Sequence, residues 1–367
     1  MSDYHLCEEL IIEILTRLPP KSLLRFRSVS KSLRSCIDSP EFMRMHTCRS
    51  PQSVVMRHLV RKGSRDEYGC IAFCTLHTED QLPLRGGYIG ITAVNFPCRS
   101  VSITGSCNGI MSLFEYQKGI IYLWNPSVMR QLTLPDCPRR CTQGICIGIG
   151  FDPITDDNKI VSIPLLGGTA ESAFVYAMKT RAWCPIASPV PLYTAVFSTS
   201  YYLNGVLHWV VGTFEDGEYL RYIMTLDLST HVFGMIDLPK PTWETLNLST
   251  IQGSLAVSST LIVDTWIWVR RDASWSLVFR SKTNQVRGVN KALQLTNNGD
   301  LLLDTFDDEF QVYNPKTGAR STLVNFSDGS LLFEMNPHVE TLQLLQIGTA
   351  CEANHFFSQE RKKRKRF

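Results

Sequence analysis

The sequence predicts an α+β multidomain protein, with a small unit of three short helices followed by an all-β, propeller-like domain of about six blades. Three observations carry this. Apolar residues recur at helical spacing through the first forty-odd positions. After about residue 50 the helical stripes give way to short β-branched and aromatic runs separated by Gly, Pro, Asn and Asp. Turn-forming pairs then return at intervals of 44, 52, 48 and 46 residues in a chain of 367, the period of a four-stranded blade. The boundaries follow as 1–46 for the helical unit, 50–350 for the β domain and 351–367 for a basic tail.

In the helical unit, Leu10, Ile11, Ile14, Leu15 and Leu18 make one wide apolar face. Glu8, Glu9 and Glu13 suit the positive end of that helix's dipole. Pro19-Pro20 ends it. A second short helix is predicted to carry Leu23, Leu24 and Phe26. A third begins near Val29 or Ser30, carries Leu33, Cys36 and Ile37, and ends before Pro40. Three helices of this length are near the lower limit for an independent core. Leu6, Leu10, Ile14, Leu18, Leu23 and Leu24 exceed what such a core hides, and each gains roughly 1.5–3 kcal/mol when fully buried. The surplus face therefore covers itself either on a partner or on the chain's own second domain, and the pattern alone does not choose.

In the β domain the recurring pairs are Asn108-Gly109, Asp152-Pro153, Asn204-Gly205, Gln252-Gly253 and Asn298-Gly299. Between them a strand runs into a polar turn and a second strand, as from Leu123-Trp124-Asn125-Pro126 to Leu134-Pro135, or from Leu226-Asp227 to Leu238-Pro239. Closing the ring protects blade edges, and His338 to Ile347 is the expected closing run, returning to Ser53–Val60. A twisted sandwich of the same strands is the alternative architecture.

Net charge is +3, from 37 basic and 34 acidic residues. Six of the basic residues are Arg361, Lys362, Lys363, Arg364, Lys365 and Arg366, so the body without them is slightly acidic. The excess is a property of the tail, which has the composition of a nuclear-localisation segment, and gives no reason to expect a nucleic-acid groove. The N-terminus lacks the basic and apolar regions of a secretory signal, and no run reaches the roughly 18 apolar residues of a membrane span. The expected location is nucleus and cytoplasm, with no membrane partner. Twelve cysteines are scattered without framework spacing, and most read as buried small hydrophobes.

A search for chemistry finds little. Cys137, Cys141 and Cys146, and Cys70 with Cys74, lack paired Cys-x-x-Cys spacing, so no zinc site is expected. Asp152, Asp156 and Asp157 open like a calcium loop, but Asp157 stands where glycine is required and Ile163 where the bidentate glutamate belongs. Gly167-Gly168-Thr169 has no following lysine, and no Gly-x-Ser-x-Gly elbow occurs. His208, beside Trp209 in an apolar strand, reads as a core histidine. No catalytic residue, cofactor or metal is expected.

Two resemblances complete the reading. Leu6, Glu9-Leu10, Ile14-Leu15, Arg17-Leu18-Pro19, Lys21 to Arg25, Val29-Ser30-Lys31, Pro40 and Phe42 resemble the F-box. Two positions depart from it: Cys7 stands where the family usually has proline, and Leu33 where it usually has tryptophan. Gly105 to Gly109, Leu123 to Ser127, Gly150 to Pro153, Leu203 to Gly205, Leu207 to Trp209 and Leu226 to Ser229 resemble the F-box-associated, kelch-type interaction domain of plant F-box proteins, although a standard kelch signature is missing.

The resemblance implies that Leu6, Cys7, Leu10, Ile14, Leu15, Leu18, Pro19, Leu23, Leu24, Val29 and Leu33 dock on a Skp-type adaptor and, through it, on a cullin. It implies a substrate-recognition subunit of a ubiquitin ligase that presents a protein for ubiquitination and proteasomal degradation and is not itself an enzyme. The alternative is a non-catalytic propeller, lectin-like or sequestering, that works without a cullin. Loops at Glu215–Glu218, Lys240–Thr245 with Trp243, and Arg270–Ser274 are the expected target contacts.

Overall fold

A computed structural model describes residues 7–62, 69–78, 94–95, 101–139, 145–164, 173–215, 217–240, 245–261, 264–280, 289–295, 301–305, 310–314, 317–324, 331–344 and 349–350. Leu6, Trp243, Asn298, Cys141, Gly167 to Thr169 and the basic run Arg361–Arg366 lie outside them.

Four helices, one more than expected, open the chain: α1 (Glu8–Leu15), α2 (Pro20–Phe26), α3 (Lys31–Ile37) and α4 (Pro40–Arg49). The extra helix corrects the reading of Pro40. That proline starts a helix because its missing N–H is an orphan of the first turn anyway, and the Ser39 hydroxyl accepts from the Phe42 N–H at 3.2 Å to cap it. Pro20 plays the same part at the start of α2. Ser30 caps α3 through the Leu33 N–H. Arg27 donates twice to the Asp38 carboxylate, at 2.6 and 2.8 Å, and ties α2 to the end of α3.

The described strands form six antiparallel sheets, four of four strands and two of five. In chain order the second to sixth blades begin with Val101–Cys107, Ile145–Asp152, Ala195–Val196 with Tyr201–Leu203, Thr245–Ile251 and Val289–Leu295. The first blade is assembled from both ends of the β domain. Leu331–Val339 pairs antiparallel with Gln52–Lys62, Ser53 lying opposite His338, and the sheet continues through Gly69–Thr78 to Val94–Asn95. Closure thus occurs, through residues 331–339, which share only His338 and Val339 with the predicted run 338–347. The residues after 339 do something else, described below.

The recurring turn pairs have a physical explanation. Asn108, Asn204 and Gln252 have φ of 48°, 48° and 51°, and the glycines after them 75°, 83° and 74°. Two consecutive positive φ values are what a two-residue hairpin turn matched to strand twist requires. At Gly109 the glycine is also sterically necessary, because a Cβ there would come 2.1 Å from the Val339 carbonyl oxygen. The second recurring element is an Asx turn closing the third strand. The side-chain oxygens of Asn125, Asp227 and Asn314 accept backbone N–H bonds from Ser127, from Ser229 and Thr230, and from Thr317.

Core clusters fill the gaps between blades. Trp209, Leu207, Val211 and Met224 of blade 4 pack against Cys146, Val161 and Ile163 of blade 3, while Val210 and Ile223 on the other side of the same sheet pack against Leu246, Leu248 and Val257 of blade 5. This two-sided burial explains the near-continuous apolar runs of the second and third strands. His208 is buried and bonded to the Tyr201 carbonyl at 3.2 Å, as expected of a core histidine. Among the described cysteines, Cys107 and Cys146 are buried, and burial pushes both thiols up, Cys146 to about 12, whereas Cys7, Cys48 and Cys184 are exposed and Cys36 and Cys137 half-buried, which corrects the expectation that most are core residues.

Candidate functional site

The helical unit is seated on the propeller. Leu15, Leu23, Ile37 and Phe42 form its core, and Val128 of blade 2 and Leu342 complete that core from below. His46 is buried beside it and donates to the Leu18 carbonyl at 3.0 Å. Thr47 donates to the Thr341 hydroxyl at 3.2 Å.

Residues 340–344, the part of the predicted closing run that does not close the ring, act as a bracket under this seat. Asn125 Nδ2 donates to the carbonyls of Thr341, at 3.0 Å, and Gln343, at 2.7 Å. Asn158 Nδ2 donates to the Gln343 side-chain oxygen at 2.6 Å. Leu344 enters the core shared by blades 2 and 3. Just before the bracket, buried His338 pairs with the Ser127 hydroxyl at 2.9 Å, and burial pushes its pKa down to about 3. The helical unit is therefore fixed to the ring at several independent points.

Part of the predicted docking set thus belongs inside. Leu15 and Leu23 are sealed in the unit's own core, and Leu18, Leu24 and Leu33 are half-buried against it. Cys7, Leu10, Ile14, Pro19 and Val29 face solvent. Leu10 and Ile14 are each 50% exposed and Val29 is 72% exposed. Phe26, at 41%, joins this outward strip, although it was not among the expected docking residues. Its signal was its place at the C-terminus of α2, where the chain turns away. Of the two sequence options for the surplus apolar face, cover by the chain's own second domain is realised for one side, on Val128 and Leu342, and the other side is left open.

The fold also sorts the loops. Antiparallel alternation puts the hairpins between first and second, and third and fourth, strands on one face of the ring. The helical unit sits on that face, against Val128 of such a hairpin. The second-to-third hairpins and the blade connections lie on the opposite face. Glu215–Glu218 belongs to this opposite face, and so does the connection that starts at Leu238. The hairpin at Arg270–Ser274 joins third to fourth strands and lies on the helical side. The three predicted target loops therefore do not share one face.

No acid–base constellation emerges from the sequence candidates. Asp152 is an anchor, not a calcium ligand. Its carboxylate is fully buried, 2.8 Å from Lys159 Nζ, and accepts from the Ser229 and Thr155 hydroxyls and the Ile154 N–H. Burial raises its pKa, but those donors outweigh it, and the carboxyl titrates well below the usual carboxylate range. Lys159 also donates to the Leu228 carbonyl at 2.8 Å, so the network locks blade 3 to blade 4. Among the described residues, no group of three His, Cys, Asp or Glu is placed to hold a metal, and no helix is long and apolar enough to cross a membrane.

A cavity of about 180 Å3 lies between the inner strands, lined by Ser106, Asn108, Ser200, Tyr201, Ser249, Asn336 and His338 among others. Ser249 Oγ, Asn336 Nδ2 and His338 Nδ1 have no protein partner. It is polar and roomy enough for roughly six waters, and its described lining is uncharged at neutral pH.

Two family descriptions match the chain. F-box domain matches residues 4–45, and F-box associated beta propeller domain matches residues 68–326. The chain belongs to the F-box-associated β-propeller family. Relatives of this F-box protein include a candidate F-box protein of Arabidopsis thaliana, 28% identical over 63% of this chain and 49% of the relative. Another from the same plant is 28% identical over 73% of this chain and 66% of the relative. An F-box/kelch-repeat protein, also of Arabidopsis thaliana, is 27% identical over 65% of this chain and 66% of its own length. The matches span about half to two thirds of these curated relatives. A solved nidogen/laminin complex aligns at TM-score 0.43 with 11% identity, over 78% of this chain and 99% of that one, a likeness too distant to carry an argument.

Proposed function

We propose that this protein is the target-recognition subunit of a Skp–cullin–F-box ubiquitin ligase, working by proximity and without catalytic residues of its own. The observation that carries the proposal is the split surface of the F-box. One side is fastened to the propeller through Leu342, Val128 and Thr341, and the other presents Leu10, Ile14, Phe26 and Val29 to solvent. Covering each returns part of the roughly 1.5–3 kcal/mol of full burial, which favours a partner with an apolar groove such as a Skp-type adaptor. A rigid seat suits a subunit that must hold a target at a set position relative to a ubiquitin donor, because effective concentration depends on geometry.

Leu33 is half-buried and Cys7 is exposed, so of the two off-pattern positions Cys7 bears more directly on adaptor affinity. The test is co-expression with a Skp adaptor and a cullin. The wild type should retain both, and Leu10→Ser/Ile14→Ser should lose both while melting normally. Equal retention by that variant refutes the docking face. An adaptor complex that recruits no cullin converts the role to sequestration. The basic run Arg361–Arg366 supports nuclear import, tested by a reporter fused to residues 355–367 that should concentrate in nuclei; a reporter that stays cytoplasmic removes this part of the proposal.

A further inference from the structure

We infer that the cavity between the inner strands is a binding site for a small uncharged polyol. The site is independent of adaptor docking and goes beyond the target-recognition role.

Polar atoms of two blades line this cavity without a bond. Ser249 belongs to the inner strand of blade 5, and Asn336 and His338 to the inner, ring-closing strand of blade 1. All three residues are more than nine-tenths buried. Yet Ser249 Oγ, Asn336 Nδ2 and His338 Nδ1 have no protein partner. Asn336 and His338 are two residues apart on one strand, so their side chains share a face. That face meets blade 2, because His338 Nε2 pairs with the Ser127 hydroxyl at 2.9 Å. Buried donors and acceptors left unmade forfeit the water they shed on folding, and a bonded occupant restores what each has lost.

The lining selects the occupant. No Asp, Glu, Lys or Arg stands among its described residues, and burial holds His338 neutral. An ion would shed its water there with no counter-charge to meet it. An apolar molecule would leave the three atoms unbonded and would also cover Ser106, Asn108 and Thr199. A hydroxyl both donates and accepts. It can accept from Asn336 Nδ2, give or take a bond at Ser249 Oγ, and meet His338 Nδ1 in whichever tautomer the Ser127 bond sets. Several hydroxyls on one skeleton meet groups on separate strands at once.

Volume sets the length. A cavity of about 180 Å3 holds about six waters. Each carbon of a polyol with its hydroxyl takes roughly the room of one water, so a skeleton of about four carbons fits. One such molecule frees waters that would otherwise be immobilised singly. The cavity is partly open to solvent, so the ligand can enter the folded ring. Asn336 and His338 lie opposite Val55 and Ser53 in the closing pair. A ligand bonded to them and to Ser249 therefore ties the closing strand to blade 5.

The test titrates erythritol into the full chain and follows it by ligand-detected NMR. The controls are 1-butanol, of similar length with one hydroxyl, and lactate, of similar size with a charge. The wild type should bind erythritol saturably, with a Kd near or below about 1 mM, within reach of so few atoms. Either control should bind at least about tenfold more weakly. Ser249→Ala/Asn336→Leu should weaken erythritol binding at least about tenfold. Its melting temperature should hold or rise, because the unbonded groups are gone. Ser249→Ala alone should weaken binding about threefold, and it serves if Asn336→Leu does not fold. Polyols also stabilise proteins by exclusion from the surface, but that effect does not saturate and is the same in wild type and variants.

No saturable erythritol binding, equal binding of butanol or lactate, or variants that bind as the wild type does overturns the inference. A wild type that binds no erythritol, with a double variant that melts lower, overturns it too and assigns the cavity to structural water.

Discussion

Lys159→Met should be among the costliest single substitutions in the ring. The Lys159 and Asp152 side chains are 8% and 0% exposed, with Nζ and Oδ2 2.8 Å apart. Taking away the lysine leaves a carboxylate in a site that water does not reach, and breaking a buried pair in this way costs about 3–5 kcal/mol. Asp152 keeps its bonds from Ser229, Thr155 and the Ile154 N–H, which places the expected loss near the lower end, about 3 kcal/mol. For a domain of this size that is roughly a 5 °C drop in melting temperature. Asp152→Asn/Lys159→Met removes both charges, and the amide oxygen keeps accepting from Ser229 and the Ile154 N–H while Nδ2 donates to the Thr155 hydroxyl in place of the bond it gave. It should cost only about 1 kcal/mol, because replacing both members of a buried pair is often close to neutral. The assay is thermal melting of the single and double variants at neutral pH, followed by urea titration. If the single variant is as mild as the double, Asp152 is not an uncompensated charge without Lys159, and the reasoning fails.

Other outcomes follow from the same geometry. Burial holds His338 down to about 3 and His208 down to about 4, so both are neutral in the fold and take up protons on unfolding. Stability is then complete above about pH 6.5 and falls by about 1.4 kcal/mol per pH unit for each histidine below it. Urea midpoints should decline from pH 6.5 toward pH 5, and His208→Gln should shallow the slope; a flat profile contradicts neutral burial. Leu23→Ala, at a fully buried site, should cost about 2–5 kcal/mol and release the F-box to limited proteolysis, whereas Leu10→Ser should leave protease resistance unchanged. Gly109→Ala should destabilise by more than 1 kcal/mol, given its φ of +75° and the nearby Val339 carbonyl; a melt identical to the wild type would show that the closing strand gives way there.

Much of the architecture was written in local chemistry. Asn108-Gly109, Asn204-Gly205 and Gln252-Gly253 adopt positive φ and mark hairpins, and Asn125, Asp227 and Asn314 mark Asx turns; both depend on neighbours a few residues away. What the sequence concealed was long-range. Leu15, Leu23 and Leu10 are all apolar members of one helical stripe or its neighbour, and only the position of Val128 and Leu342 decides which of them are covered. Pro40 can end a helix or begin one, and the Ser39 hydroxyl decides it. Residues 340–344 alternate polar and apolar like a strand, yet they become a bracket because Asn125 and Asn158 capture their polar groups. The faces on which loops emerge depend on strand parity within each blade, which no local motif reveals.

The bracket also orders events during synthesis. The F-box leaves the ribosome first, but Leu342, which completes its core, and residues 331–339, which seal the first blade, come only after some three hundred further residues. Until then the nascent hook lacks its seat and Gln52–Lys62 lacks a neighbouring strand. Closure is a contact of long sequence separation, and such contacts form late and leave apolar surface and a strand edge open meanwhile. A chain truncated before residue 331 is therefore an aggregation hazard with its docking strip intact, able to occupy an adaptor without a finished ring behind it.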